Sequence, residues 1–141
     1  MKTVNPFYIH ALLSPLTGLA DDDDAVNQYS KVDVDNEHQV RAIIRSRLKP
    51  YFLRFDDKSK EISKLSLKYY LSKPGFDFAR IYDSCLMPFE SPSDPRRFFE
   101  WLWRELFGDE KIWIESATEF IESKDIHAPN LIKLADEPNQ N

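Results

Sequence analysis

Asp94-Pro95-Arg96-Arg97-Phe98-Phe99-Glu100-Trp101-Leu102-Trp103-Arg104-Glu105-Leu106-Phe107-Gly108 is the stretch whose reading decides the fold class. Asp94 carries a side-chain oxygen able to accept from the unpaired N–H groups of a first helical turn. Pro95 follows at the first helical position, where a missing N–H costs little. Gly108 supplies the positive-φ residue that closes a helix. With residues placed at about 100° intervals, Arg96, Arg97, Glu100 and Arg104 share one arc and Phe98, Phe99, Leu102 and Leu106 the opposite one. Trp101 falls between Arg97 and Glu105 on the polar side, with Trp103 and Phe107 near the other edge. The apolar arc is wider than one packed face needs. Either several helices surround this one, the favoured reading, or part of it is an exposed patch. In the second case Trp101 and Arg97 are residue types that dominate interface energetics.

Downstream, Asp109 can cap a second helix whose inward face would be Ile112, Trp113, Ala117, Phe120 and Ile121. The pair would make a C-terminal helical hairpin, with a strand at 111–114 as the competing reading. From Asp136 the chain is polar, so 136–141 is expected to be a flexible tail on one globular domain spanning 1–135.

Upstream, Pro88, Pro92 and Pro95 mark a long connection, preceded by an expected helix over 76–86 with Phe78, Ile81, Tyr82 and Cys85 inward. Residues 59–72 are ambiguous: Ile62, Leu65 and Tyr69 fit a helix, whereas Leu65, Leu67, Tyr69 and Leu71 fit a strand. The helix is preferred because Lys60, Lys64 and Lys68 would then share a solvated stripe. Residues 51–55 are apolar and too short for period to decide. Asn36 and Gln39 have capping-box spacing, and Val40, Ile43, Ile44 and Leu48 then recur as an inward face turned away from Arg45 and Lys49. Pro50 is expected to end or kink that helix. Residues 30–35 read as a short strand or plain loop. Asn5-Pro6 opens a helix reaching about Ala20, broken or kinked at Pro15. The architecture that follows is α-dominant or all-α, one compact multi-helix domain.

Composition agrees. The chain has 141 residues, ten Phe, six Tyr and three Trp, but only three Gly. A domain of that length buries roughly 68–70% of its unfolded surface, enough for a core without a staple. Cys85 is the only cysteine, which excludes an intrachain disulfide and a Cys-built zinc site. The apolar stretch 7–13 is interrupted by His10 and lacks a convincing cleavage site, and no run reaches the roughly 20 apolar residues of a membrane span. The expected address is the cytoplasm.

Chemistry finds no foothold. His10, His38 and His127 lack ligand spacing, no nucleophile elbow is present, and Gly18, Gly75 and Gly108 stand too far apart to cradle a phosphate. A calcium loop from Asp33 would need Gly sixth and Glu twelfth, where His38 and Ile44 stand. No enzyme, cofactor or metal site is expected. Net charge is −5 but uneven: residues 1–40 carry −5, 41–80 carry +7 and 81–141 carry −7. The acidic run Asp21, Asp22, Asp23 and Asp24, with Asp33, Asp35 and Glu37, reads as a solvated loop or as an anionic patch for a basic partner. The basic segment 41–73 reads as a solvated helix face or, alternatively, as the phosphate-tracking surface of a nucleic-acid-associated regulatory protein.

In size, acidity, aromatic content and lack of catalytic motifs, the chain resembles the immunity proteins of bacterial contact-dependent growth inhibition systems. That resemblance implies a cytoplasmic protein that binds a toxin domain, a nuclease for choice, and occludes its active site. The implied contacts are Asp21–Asp24, Asp33, Asp35 and Glu37, with Trp101 as aromatic anchor beside Arg97.

Overall fold

The computed structural model describes residues 2–114 and 119–135, and it is dominated by helix. In chain order come β1 (Lys2–Val4), α1 (Phe7–Leu12), α2 (Asp23–Gln28), α3 (Glu37–Ile43), α4 (Lys49–Leu53), α5 (Asp57–Ser72), α6 (Phe78–Ser84), α7 (Pro95–Phe107) and β2 (Phe120–Glu122). Short 3-10 turns stand at Ser14–Leu16, Leu19–Asp21 and Ala128–Leu131. One hydrophobic cluster runs from Val4 through Ile9, Leu48 and Leu67 to Trp103. No helix among the described residues is long and apolar enough to cross a membrane.

The expected caps at Asn36 and Asp94 form, and Asp56 and Asp77 add two more. Asp94 accepts from the N–H of Arg96 at 3.1 Å, Pro95 takes the first turn, and Gly108 closes α7 at φ +64°. Asn36, Asp56 and Asp77 cap α3, α5 and α6 through the N–H of Gln39, Ser59 and Arg80. Each supplies one of the acceptors a free helix start lacks. The Gln39 side chain turns to the N–H of Asp33 at 2.9 Å, so only half of the expected capping box forms.

The ambiguous 59–72 is helical, and the reason is packing. α5 lies against both α1 and α7 and buries one wide arc, with Ser59, Ser63, Ser66 and Tyr70 along its middle, Leu67 and Leu71 on one flank and Tyr69 on the other. So wide a buried arc suits a helix at the centre of the domain. The expected solvated lysine stripe is only half-exposed as a result. Tyr8, Ile9, Ala11 and Leu12 bury the facing side of α1, whose first turn is held by the Asn5 side chain accepting from the Phe7 N–H at 2.9 Å. Helix ends before Pro15, as expected. Residues 30–35 are loop, and Phe78, Ile81, Tyr82 and Cys85 all point inward.

Two expectations change. Pro50 does not end its helix: a π turn, Ile44–Leu48, intervenes and α4 resumes through Leu53. The wider turn, with the Lys49 N–H reaching the Ile44 carbonyl, stands directly ahead of the proline and absorbs its missing donor and its ring. The second arm of the C-terminal hairpin is not seen among the described residues: 110–114 are not helical, and Phe120–Glu122 is a strand. That strand pairs in parallel with β1, Thr3 opposite Ile121, an arrangement that joins the two ends of the chain and leaves Trp113 and Ile121 exposed. The part of the expected arm at 115–118, including Ala117, and the tail 136–141 lie outside the described residues.

Candidate functional site

α7 is surrounded, as its wide apolar arc demands: α3, α4, α5 and α6 all pack on it. Phe99, Leu102 and Trp103 are fully buried, and the Trp103 indole N–H donates to the Glu110 carbonyl at 2.7 Å. The polar side of α7 is covered too. α3 lies along it, and Trp101, expected as an aromatic anchor for a partner, is 8% exposed. That expectation is corrected: the ring is packed at the α3–α7 seam, because α3 is clamped over its arc.

The clamp is a carboxylate shared by two guanidiniums. Glu105 is 7% exposed and accepts from Arg41 Nε at 2.7 Å, from Arg45 Nε at 2.8 Å and from Arg45 Nη2 at 3.2 Å. Hydrogen bonding from Arg45 holds its carboxyl below the usual range against the opposing effect of burial, and Arg41 adds to this. Arg41 also donates from Nη1 to Glu37, one turn back, at 3.1 Å. Arg41 is pushed up in turn, first by Glu105 and then by Glu37. Two open depressions adjoin the clamp, each about 420 Å3. One is lined by Glu37, His38, Arg41 and Arg45, the other by Glu37, Arg41, Glu100, Trp101, Arg104, Gly108 and Asp109. Sequence reasoning missed this arrangement. Its signal was two arginines four apart on one helix, a like-charge pair that asks for an anion between them.

The acidic residues fall in two places. Gly18, at φ +80°, turns the chain so that its N–H reaches the Cys85 carbonyl, and the Ala20 N–H reaches that of Leu86. Asp21–Asp24 follow, all exposed, with Asp22 capping α2 through the N–H groups of Asp24 and Ala25. Asp33 accepts from the Asp35 N–H at 3.0 Å. Asp35 accepts from the Ser93 N–H and hydroxyl, both at 2.8 Å, and these two bonds hold it below the ordinary carboxylate range, with Arg97 contributing. Arg97 is exposed and 3.9 Å from Asp94. So Asp35, Asp94 and Arg97 meet at the start of α7, whereas Glu37 belongs to the clamp.

Half of the ten cations in the basic segment 41–73 have described side-chain partners inside the fold. Besides Arg41 and Arg45, Arg47 donates to the Tyr29 hydroxyl at 2.8 Å, Lys64 pairs with Glu110 at 2.7 Å, and Lys73 with Glu122 at 2.8 Å. His10 stacks on Phe7 and stands 3.5 Å from the Cys85 sulfur. Burial pushes the thiol up to about 11 and lowers the imidazole, so the pair is held neutral and away from the thiolate a nucleophile needs. Among the described residues no three His, Cys, Asp or Glu side chains are grouped to hold a metal ion.

No protein-family model, no curated protein and no solved structure matches this chain.

Proposed function

We propose that the chain is a binding protein with no chemistry of its own, an inhibitor that neutralises a bacterial toxin domain in the cytoplasm by covering a basic active-site groove. The observation that carries this reading is the fate of the charges. Arg41, Arg45, Arg47, Lys64 and Lys73 are engaged within the fold, whereas Asp21, Asp23 and Asp24 are exposed and accept no described hydrogen bond. The chain thus offers a partner a net anionic surface, which speeds encounter with a basic groove and disfavours wrong partners. The contacts are Asp21–Asp24, with exposed Asp33 adding to the negative field. Asp35 and Glu37 are committed to Ser93 and Arg41 and act through charge alone. The same pairing weighs against a nucleic-acid surface at 41–73.

The test is co-purification and titration calorimetry with the toxin domain encoded beside this gene. A one-to-one complex is expected, with affinity falling as salt rises and by about tenfold or more when Asp21, Asp23 and Asp24 are changed together to lysine. A complex indifferent to that reversal overturns the assigned surface. Failure to bind or protect against the toxin overturns the inhibitor reading.

A further inference from the structure

The clamp that holds α3 to α7 has donors to spare. Each guanidinium has five N–H groups, and among the described residues two are used on each: Arg41 on Glu105 and Glu37, Arg45 twice on Glu105. Three remain on each. Both side chains line the depression of about 420 Å3 whose other walls are Glu37 and His38. We propose that Arg41 and Arg45 form a binding site for a phosphate-type oxyanion carried by a small molecule, with buried Glu105 as the positioning residue.

Geometry and charge support this together. Glu105 holds the Nε of both forks and both side chains line one depression, so part of the ordering cost of binding is already met. One arginine would neutralise buried Glu105; the second is balanced only by the exposed Glu37 carboxylate, so an oxyanion that displaces Glu37 meets a net positive charge at the depression. The seam does not need the second arginine for adhesion, since Val40, Ile44 and Leu48 already bury against the shared core. Planar forks, rather than ammonium groups, are the side chains suited to paired oxygens. The exposed Glu37 carboxylate, 3.1 Å from Arg41 Nη1, sits where an incoming oxyanion would and competes for that edge. Its side chain is 56% exposed, so the pair is screened and weakly held. The volume exceeds that of a bare phosphate and matches the lower range for small-molecule sites. The site lies apart from Asp21–Asp24 and stands or falls independently of the inhibitor reading.

The experiment follows the Arg Nε–Hε resonances of the full chain during titration with inorganic phosphate, at ionic strength held constant with chloride. Saturable shifts confined to Arg41 and Arg45 are expected. Glu37→Gln removes the competitor and should tighten binding several-fold, while Arg45→Lys keeps the charge but loses the fork and should weaken it by roughly tenfold. Shifts that never saturate, or that chloride reproduces, overturn the proposal. So does a Glu37→Gln protein, folded by its circular dichroism and thermal melt, that binds no tighter than the parent.

Discussion

At the scale of the residue, two side chains stand where stability alone would not put them. Leu86 follows the last turn of α6 at φ +51°, the position where glycine is the ordinary choice, and it is 51% exposed. A side chain there pays the left-handed penalty of about 1–2 kcal/mol and regains little by burial. Leu86→Gly should therefore raise unfolding free energy by about 0.5–1 kcal/mol, the relief exceeding glycine's added unfolded-state entropy. Urea denaturation checks this, and an unchanged or lower midpoint counts against the strain. Glu105 is the second. Replacing it with alanine leaves Arg41 and Arg45 facing each other without their shared anion. Since Arg45 is 60% exposed, solvent softens the loss, which should come to about 1–3 kcal/mol.

The pH dependence of that residue has a definite sign. The Glu105 carboxyl titrates below its unfolded value, so its contribution is complete above about pH 5 and is lost as pH falls through its folded value. Asp35 and Asp56 are shifted the same way, by Ser93 and Ser59 respectively, and add to the same acid limb. Glu105→Gln should flatten the acid limb in thermal melts between about pH 3 and 5, while leaving the part owed to the two aspartates. A variant whose melting temperature falls with acid as steeply as the parent's would remove Glu105 from the account.

At the scale of the element, α5 shows how packing overrides an ambiguous pattern. Its alternating apolar residues suit a strand until Ser59, Ser63 and Ser66 are counted as a buried surface. Those serines line up at helical spacing, the Ser66 hydroxyl accepting from the Asn5 N–H at 3.1 Å and the Ser59 hydroxyl from the Lys133 N–H at 2.9 Å. Space at Ser63 is filled: its hydroxyl returns to the Ser59 carbonyl at 2.7 Å, and the residue is fully buried. Ser63→Leu should cost about 1–3 kcal/mol by pushing α1 off α5, read as a lower denaturation midpoint. A neutral effect would mean that the α1–α5 contact is looser than its burial implies. The π turn before Pro50 belongs to the same scale. A proline and an adjacent change of helical register settle each other locally, so the chain continues to Leu53 where proline alone would signal a stop.

At the scale of the molecule, the charge blocks legible in the sequence do not become patches of equal standing. Lys64, Lys73, Arg41 and Arg45 reach acidic partners supplied by α3, α7 and the segments after α7. The acidic run at 21–24 meets no such counterpart among the described residues. A labelled DNA duplex at about 0.15 M salt should therefore show no saturable binding by anisotropy. Salt-sensitive binding abolished by joint reversal of Lys60, Lys64 and Lys68 would instead restore the nucleic-acid reading.

Local chemistry determined much of this protein by itself. Caps at Asn36, Asp56, Asp77 and Asp94, the closing glycine at 108, the break at Pro15 and the inward faces of α6 and α7 all follow from side chains acting on their own turn of backbone. Helical dominance follows from them. Only the tertiary structure decided the rest, because it depends on residues far apart in the chain. Trp101 lost its place as an exposed anchor once α3 lay over it, and Glu105 became the centre of a site because Arg41 and Arg45 arrive from 64 and 60 positions away. The strand at 120–122 exists only through its pairing with 2–4. Periodicity reports which face of an element is buried; it carries no information about which distant element does the burying.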